Sequence, residues 1–257
     1  MYVIKAVSII ARCNTTYMTQ ATYSTGTSPT GLSVVDVNGD NKPDIIVTNN
    51  GNSNVGVLLN KGNGTFTTQT TYATGANPQT VVVIDVNSDS KPDIIVISYG
   101  NRSVGVLLNR GNGTFTPQIT YSAGVNPQDL AVVDINSDNK PDIIVTNNGN
   151  NSVSILLNTG NGTFTAQTTY LAGTNSQGVS VVDINSDSKP DIIVANYGSN
   201  NVGVLLNAGN GTFTAQTICS TGNKPVNLAV VDVNNDAKPD IIVANSNSNT
   251  VSVLLAF

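Results

Sequence analysis

Five short clusters hold nearly all of the chain's acid, and each reads Asp-x-Asn-x-Asp-x-Lys-Pro-Asp. They are Asp36, Asn38, Asp40, Lys42 and Asp44; Asp85, Asn87, Asp89, Lys91 and Asp93; Asp134, Asn136, Asp138, Lys140 and Asp142; Asp183, Asn185, Asp187, Lys189 and Asp191; and Asp232, Asn234, Asp236, Lys238 and Asp240. All 16 acidic residues are Asp, and only Asp129 lies outside these clusters. Carboxylates at positions 1, 5 and 9 of so short a loop repel one another, which a hard cation would relieve. Ca²⁺ accepts about six to eight oxygen ligands in irregular geometry. Side chains at positions 1, 3, 5 and 9 and the carbonyl of the position-7 Lys are the expected ligands, with the Lys side chain pointing outward. Each loop carries three Asp and one Lys, a net charge that one divalent ion cancels, so the expected load is one Ca²⁺ per repeat and five in all. The affinity expected is that of the weak extracellular class, about 10⁻⁴–10⁻³ M. With no His and only two Cys, zinc is disfavoured, and Mg²⁺ suits all-protein cages poorly. The competing reading is five Asx-turn loops without metal, since Asp and Asn side chains cap turns through the local backbone.

The elements that must hold these loops repeat with them. Asp36, Asp85, Asp134, Asp183 and Asp232 are spaced by 49 residues, and Phe66, Phe115, Phe164 and Phe213 keep the same step, with Tyr17 in the equivalent slot. Each unit divides into four short strands. In the third unit these are an apolar Leu130–Val133, expected to be buried on both faces; Ile143–Thr146; Val153–Leu157; and Phe164–Tyr170, an outer strand with one wetted face. Gly160-Asn161-Gly162 is a hairpin turn signal. Position 12 of the first loop is Val47 in a β-branched run, so the ligand pattern sits on a β-hairpin and not between the helices of an EF-hand. Four strands in a unit of this length predict an all-β fold, a β-propeller of five four-stranded blades. The last unit ends in its third strand, and Tyr17–Tyr23 matches a fourth strand in register. The first strand of the chain is therefore expected to complete the last blade and remove the exposed edges. Residues 17–257 form the propeller in this reading, and 1–16 an N-terminal segment: an extra third-strand-like piece (Ala6–Ile10) or a poor signal-like remnant.

Composition excludes several classes. The formal charge of −5 argues against nucleic acid, which selects a basic face. No apolar run is long enough to span a membrane. Without His or Glu, and with nearly every Asp in a metal loop, acid–base pairs are hard to assemble, so no catalytic residue is assigned. Cys13 and Cys219 occupy different places in the repeat and imply no pairing. Sequons at Asn14, Asn63, Asn101, Asn112, Asn150, Asn161 and Asn210 permit secretion without demanding it.

The Asp loop followed by Asp-Ile-Ile-Val, then Val-x-Val/Ile-Leu-Leu-Asn and Gly-Asn-Gly-Thr-Phe, resembles the FG-GAP and VCBS-type repeats of integrin α-subunit propellers and of many secreted propeller proteins. The resemblance covers residues 17–257. It implies Ca²⁺ at the hairpin between a blade's first two strands, and a role in adhesion or ligand binding. The Phe-Gly and Gly-Ala-Pro signatures are loose here, as Gly-Thr-Phe and Gly124-Val-Asn-Pro127, and integrin-type heads have more blades.

Alternating strands sort the loops onto two faces. Calcium loops and Gly-Asn-Gly turns share one. The other presents Asn49–Asn54, Ser98–Ser103, Asn147–Ser152, Asn196–Asn201 and Asn245–Thr250, where Tyr99, Tyr197 and Arg102 stand among Asn, Gly and Ser. A protein or glycan ligand is expected there. The functional expectation is a non-catalytic, monomeric, calcium-stabilised binding or adhesion scaffold, extracellular or at the cell surface. The alternatives are a propeller fragment of a larger secreted protein, a lectin, or a calcium-assisted polysaccharide lyase.

Overall fold

A computed structural model of the chain describes residues 20–256. Every large element is a strand. The first sheet runs β1 (Pro29–Val35), β2 (Asp44–Asn49), β3 (Asn54–Leu58) and β4 (Thr70–Ala73) in chain order. The second repeats it with β5 (Pro78–Ile84), β6 (Asp93–Ser98), β7 (Ser103–Leu107) and β8 (Ile119–Ser122). The third comprises β9 (Pro127–Val133), β10 (Asp142–Asn147), β11 (Ser152–Leu156) and, after the small hairpin β12 (Asn158–Gly160) and β13 (Thr163–Phe164), β14 (Thr168–Leu171). The fourth is built alike from β15 (Ser176–Val182), β16 (Asp191–Asn196), β17 (Asn201–Leu205), β18 (Asn207–Gly209), β19 (Thr212–Phe213) and β20 (Thr217–Ser220). The fifth contains β21 (Pro225–Val231), β22 (Asp240–Asn245) and β23 (Thr250–Leu254). All named pairings are antiparallel. The all-β, repeated four-strand propeller architecture expected from the period is therefore present.

The apolar cores lie between successive sheets. Val55 and Val57 of the first pack with Ile94, Val96 and Leu107 of the second, and Val104 and Val106 of the second pack with Ile143 and Val145 of the third. The same alternation continues to the fifth sheet. It explains why the second strand, Asp-Ile-Ile-Val, is apolar on both faces: one face meets the blade before and the other the blade after. At the rim, Tyr72 meets Phe115 edge-on with ring centroids 5.4 Å apart, and Tyr121–Phe164 and Tyr170–Phe213 repeat the contact.

Three expectations need correction. The first strand is not the doubly buried one: β9 is half-buried along most of its length while β10 is buried throughout. It is an edge strand, with a register shift in each copy that lets Pro or Ser start it. The fourth strand is shorter than expected, because Phe164 belongs to the separate hairpin β12–β13 and its ring is held under Tyr121. Finally, the closing strand Tyr17–Tyr23 lies partly outside the described residues. Its described part, Gln20–Tyr23, forms no strand, and β23 has no fourth partner among the described residues. Tyr23 nevertheless makes with Phe66 of the first blade, at 5.5 Å, the edge-on contact that each fourth-strand Tyr makes with the next blade's Phe, whereas β1 and β21 do not pack as successive first strands do. The N-terminal segment 1–16 falls outside the described residues.

Candidate metal centre

Each Asp loop joins the first strand of a blade to the second. In the first loop the Asp36 carboxylate gathers the backbone. Its Oδ1 accepts the N–H of Asn38 (3.0 Å) and Gly39 (2.8 Å), and its Oδ2 accepts that of Asn41 (2.6 Å). Asn38 Oδ1 accepts the N–H of Asp40 at 3.1 Å, and Asp40 Oδ1 that of Lys42 at 3.0 Å. The other loops repeat this ladder. It forces positions 4 and 6 into the left-handed region. Gly39 (φ 77°) satisfies this without strain, but position 6 is Asn41 (φ 60°) and, in the fifth loop, Ala237 (φ 64°).

Position 9 behaves differently. Asp93 is fully buried. Its Oδ2 accepts the N–H of Val86 at 3.0 Å and its Oδ1 that of Asn109, sixteen residues on, at 2.7 Å. Asp44, Asp142, Asp191 and Asp240 do the same with Val37, Ile135, Ile184 and Val233 on one side and Asn60, Asn158, Asn207 and Ala256 on the other. This carboxylate latches the loop to the end of the third strand. The downstream Asn then ties blades together: Asn109 Nδ2 donates to Val37 O of the preceding blade's loop at 2.9 Å and to Pro92 O at 2.9 Å, and Asn158 and Asn207 repeat the pair. Sequence reasoning missed these asparagines. The signal was their recurrence after Leu-Leu in units one to four.

The electrostatics divide the same way. Burial pushes Asp93 and Asp142 up to about 6, against the pull of their two N–H partners and with repulsion from positions 1 and 5 adding to it. Asp191 is raised for the same reasons. At Asp36, Asp183 and Asp232 slight burial works upward, but four backbone N–H bonds outweigh it and hold the carboxyl below its usual range. The position-7 lysines do not simply point out. Lys42, Lys91, Lys140 and Lys189 fold back on the position-5 carboxylate of their own loop at 3.3–3.6 Å, exposed pairs of little energetic weight. Asp129, the acid outside the loops, is raised by burial and accepts the Val179 N–H at 3.2 Å across the neighbouring blade.

The donor chemistry of each loop fits a hard cation, being all oxygen. The arrangement fits less well. Among the described residues no three carboxylates come together closely enough to hold one ion, because position 9 is turned inward and position 1 is engaged by the backbone. The expected ligands thus share a loop without forming a shell, and the Asx-turn network is what the loop geometry displays.

The loops and the Gly-Asn-Gly turns lie on one face, as expected. Lys42 packs over Gly62, and Asn38 approaches Gly113 of the next blade. On the opposite face Asn49, Asn147 and Asn196 accept the N–H of Gly26, Gly124 and Gly173 at 2.9–3.0 Å, pinning the strand-two-to-three loops of the first, third and fourth blades to the connection that leads into each. Lys224 lies 4.5 Å over the Tyr197 ring.

An FG-GAP-like repeat model matches four overlapping stretches, 36–96, 85–145, 134–194 and 183–243. The chain belongs to the FG-GAP-like repeat family. No curated protein sequence matches it. Among solved structures, this FG-GAP-like chain is similar to an Agrocybe aegerita lectin that recognises non-reducing terminal N-acetylglucosamine (19% identity, TM-score 0.58, covering 88% of this chain and 66% of the lectin). An auxiliary nutrient binding protein of Bacteroides ovatus (13%, 0.58, 91% and 60%) and a putative 6-phosphogluconolactonase of Bacteroides fragilis (16%, 0.64, 89% and 66%) share the fold too. The chain spans about two thirds or less of the length of these structures. Likeness at this identity concerns the fold alone. Among the described residues no helix is long and apolar enough to cross a membrane.

Proposed function

We propose that this FG-GAP-like propeller is a non-catalytic, calcium-binding scaffold that works outside the cell and presents a protein or glycan ligand on the face opposite its Asp loops. The observation that carries the reading is the five-fold recurrence of an all-oxygen loop holding three carboxylates, with two left-handed residues kept even where position 6 is Ala. Turn formation engages the position-1 carboxylate and Oδ1 of position 5, and the interior takes position 9. A neutral Asn at position 5 would make the same turn, so neither accounts for a full carboxylate there in every copy. In this proposal Asp36, Asn38, Asp40 and the Lys42 carbonyl, and their equivalents, would hold the ion with water completing its shell, the position-9 Asp bracing the loop from the interior, and the bound charge would offset the loop's own. The lectin and nutrient-binding neighbours support a binding role, and the pinned loops on the opposite face are rigid enough to serve it.

Calorimetry with Ca²⁺ on chelator-treated protein tests the metal reading. Five ions per chain and a thermal transition raised by millimolar Ca²⁺ are expected; an unchanged transition and no heat would refute it. A glycan array run with and without EGTA tests the binding reading separately.

A further inference from the structure

On the face opposite the Asp loops, one loop of five departs from the pattern of its copies. The second strand ends in Asn49, Asn147, Asn196 and Asn245 in four blades and in Ser98 in the second. Asn49, Asn147 and Asn196 each hold the N–H of the incoming connection, and Asn49 and Asn196 also donate to Gln69 and Gln216. Ser98 is too short for either bond, and its Oγ, Ser103 Oγ and Gln118 Oε1 are buried without partners. Four residues on, Asn151 and Asn200 accept the N–H of Asn175 and Lys224, in the next connection, each at 2.9 Å. The first blade has the short Ser53 there, and the second has Arg102, whose side chain holds no acceptor for the Asn126 N–H. Arg102 keeps φ 52°, a left-handed conformation that Asn tolerates and a long side chain adopts at a cost. The loop is still anchored through its backbone, since the N–H groups of Tyr99 and Gly100 donate to the Asn77 and Ala76 carbonyls at 3.1 and 3.0 Å. Stability given up at one copy, in a loop that otherwise holds, points to a demand other than folding.

Arg102 is exposed, and among the described residues no carboxylate pairs with it. The Asp loops keep every acid but Asp129 at the other face, and both oxygens of Asp129 accept backbone N–H groups, from Leu130 at 3.0 Å and Val179 at 3.2 Å. With Lys224, this face of an acidic chain therefore presents cations and no free carboxylate. Tyr197, the fourth blade's copy of Tyr99, carries Lys224 over its ring at 4.5 Å. In the second blade Asn126 stands in the place of Lys224, and the cation comes on the loop itself, the Arg102 N–H donating to Tyr99 O at 3.3 Å. We propose that Tyr99 and Arg102 form the recognition site for an anionic glycan, a sugar bearing a carboxylate or sulfate group; this deepens the binding reading above and rests on it. The guanidinium pairs with the acid group through two parallel charge-assisted bonds. The Tyr99 ring offers a face to the sugar, and the Asn and Ser side chains of the loops meet its hydroxyls. The metal-free Asp loops repel such a ligand and steer it to this side. An acidic protein calls for apolar anchors and an anionic membrane for a cluster of basic residues; the loop Ser98–Ser103 supplies neither.

The test is biolayer interferometry of the full chain on immobilised alginate (carboxylate) and heparin (sulfate), with dextran as the neutral surface and poly-glutamate as the acidic peptide. It is run in EGTA, so that no calcium bridges the polymer to the Asp loops. Binding to alginate or heparin is expected, weakening as NaCl is raised, with none to dextran or poly-glutamate. Arg102→Asn restores the residue of the third and fourth blades; it is expected to raise the melting temperature and yet to lower affinity at least about tenfold. Tyr99→Asn, the residue type of Asn50 and Asn148, lowers it about threefold or more. Arg110→Gln removes the same charge from a hairpin on the Asp-loop face and leaves affinity within about twofold. An equal loss from Arg110→Gln and Arg102→Asn means that net charge alone is read, and overturns the proposal. Retention on poly-glutamate in place of the polysaccharides assigns the face to an acidic protein and overturns it too. Binding to dextran that Arg102→Asn leaves intact overturns the anionic site while the wider binding reading stands; no binding to any of these surfaces or to the glycan array refutes both.

Discussion

Replacing Asp142 with Ala and with Asn separates the latch from the metal ligand. Both substitutions remove the same buried charge, so the cost of that charge cancels in the comparison. Asp142 accepts two backbone N–H groups, from Ile135 at 3.0 Å and Asn158 at 2.7 Å, and is fully buried. Ala leaves both donors unpaired and a cavity; Asn fills the space and keeps one acceptor, though its Nδ2 then faces the second N–H, donor against donor. A buried donor without a partner costs about 1–3 kcal/mol. The Ala variant is therefore expected to be less stable than the Asn variant by about 1–3 kcal/mol in chelator. Asp138→Ala, at the exposed position 5, should stay within about 0.5 kcal/mol of the parent under the same conditions, and should differ from it only when Ca²⁺ is added. Urea unfolding followed by circular dichroism, with matched m-values, reads all three. Equal stability of the Asp142 variants, or an Asp138→Ala cost in chelator as large as that of Asp142→Ala, would refute the assignment of position 9 to the interior.

Asn158→Ala removes donors to Val86 O (2.8 Å) and Pro141 O (3.0 Å) and the acceptor of the Gly160 N–H (2.8 Å); a loss of about 2–3 kcal/mol is expected, read by the same unfolding assay. Ser98→Asn should stabilise the protein by about 0.5–2 kcal/mol, since Ser98 Oγ, Ser103 Oγ and Gln118 Oε1 are buried without partners where Asn49 in the first blade bonds Asn54 and Gln69; no gain in the melting temperature would count against it. In chelator, stability should rise as pH falls from 7 toward 5. Asp93 and Asp142 titrate near 6 in the folded chain against 3.8 unfolded, so the folded state takes up their protons first. Below 3.8 the sign reverses, because Asp36, Asp183 and Asp232 are held low when folded and their contribution is lost on protonation. A melting temperature that fell steadily from pH 7 to 5 would contradict this.

The period, the strand count and the hairpin turns were legible in the residues because they are local. A 49-residue recurrence needs no tertiary knowledge, and Gly160-Asn161-Gly162 takes positive φ at all three residues as its composition demands. The loops were legible as clusters of oxygen donors, since neighbours in sequence stay neighbours in a tight turn. Which way each carboxylate faces was not. Position 9 turns inward because its second partner lies sixteen residues downstream on the third strand, and no spacing rule within the loop reveals that pairing. The inter-blade asparagines span 72 residues and are equally invisible locally. The ends of the array show the same division most clearly: Val202 and Val251 have the same identity and the same place in the repeat, yet one is sealed and the other open. Burial is a property of what packs on a residue, and only the tertiary arrangement of blades decides it.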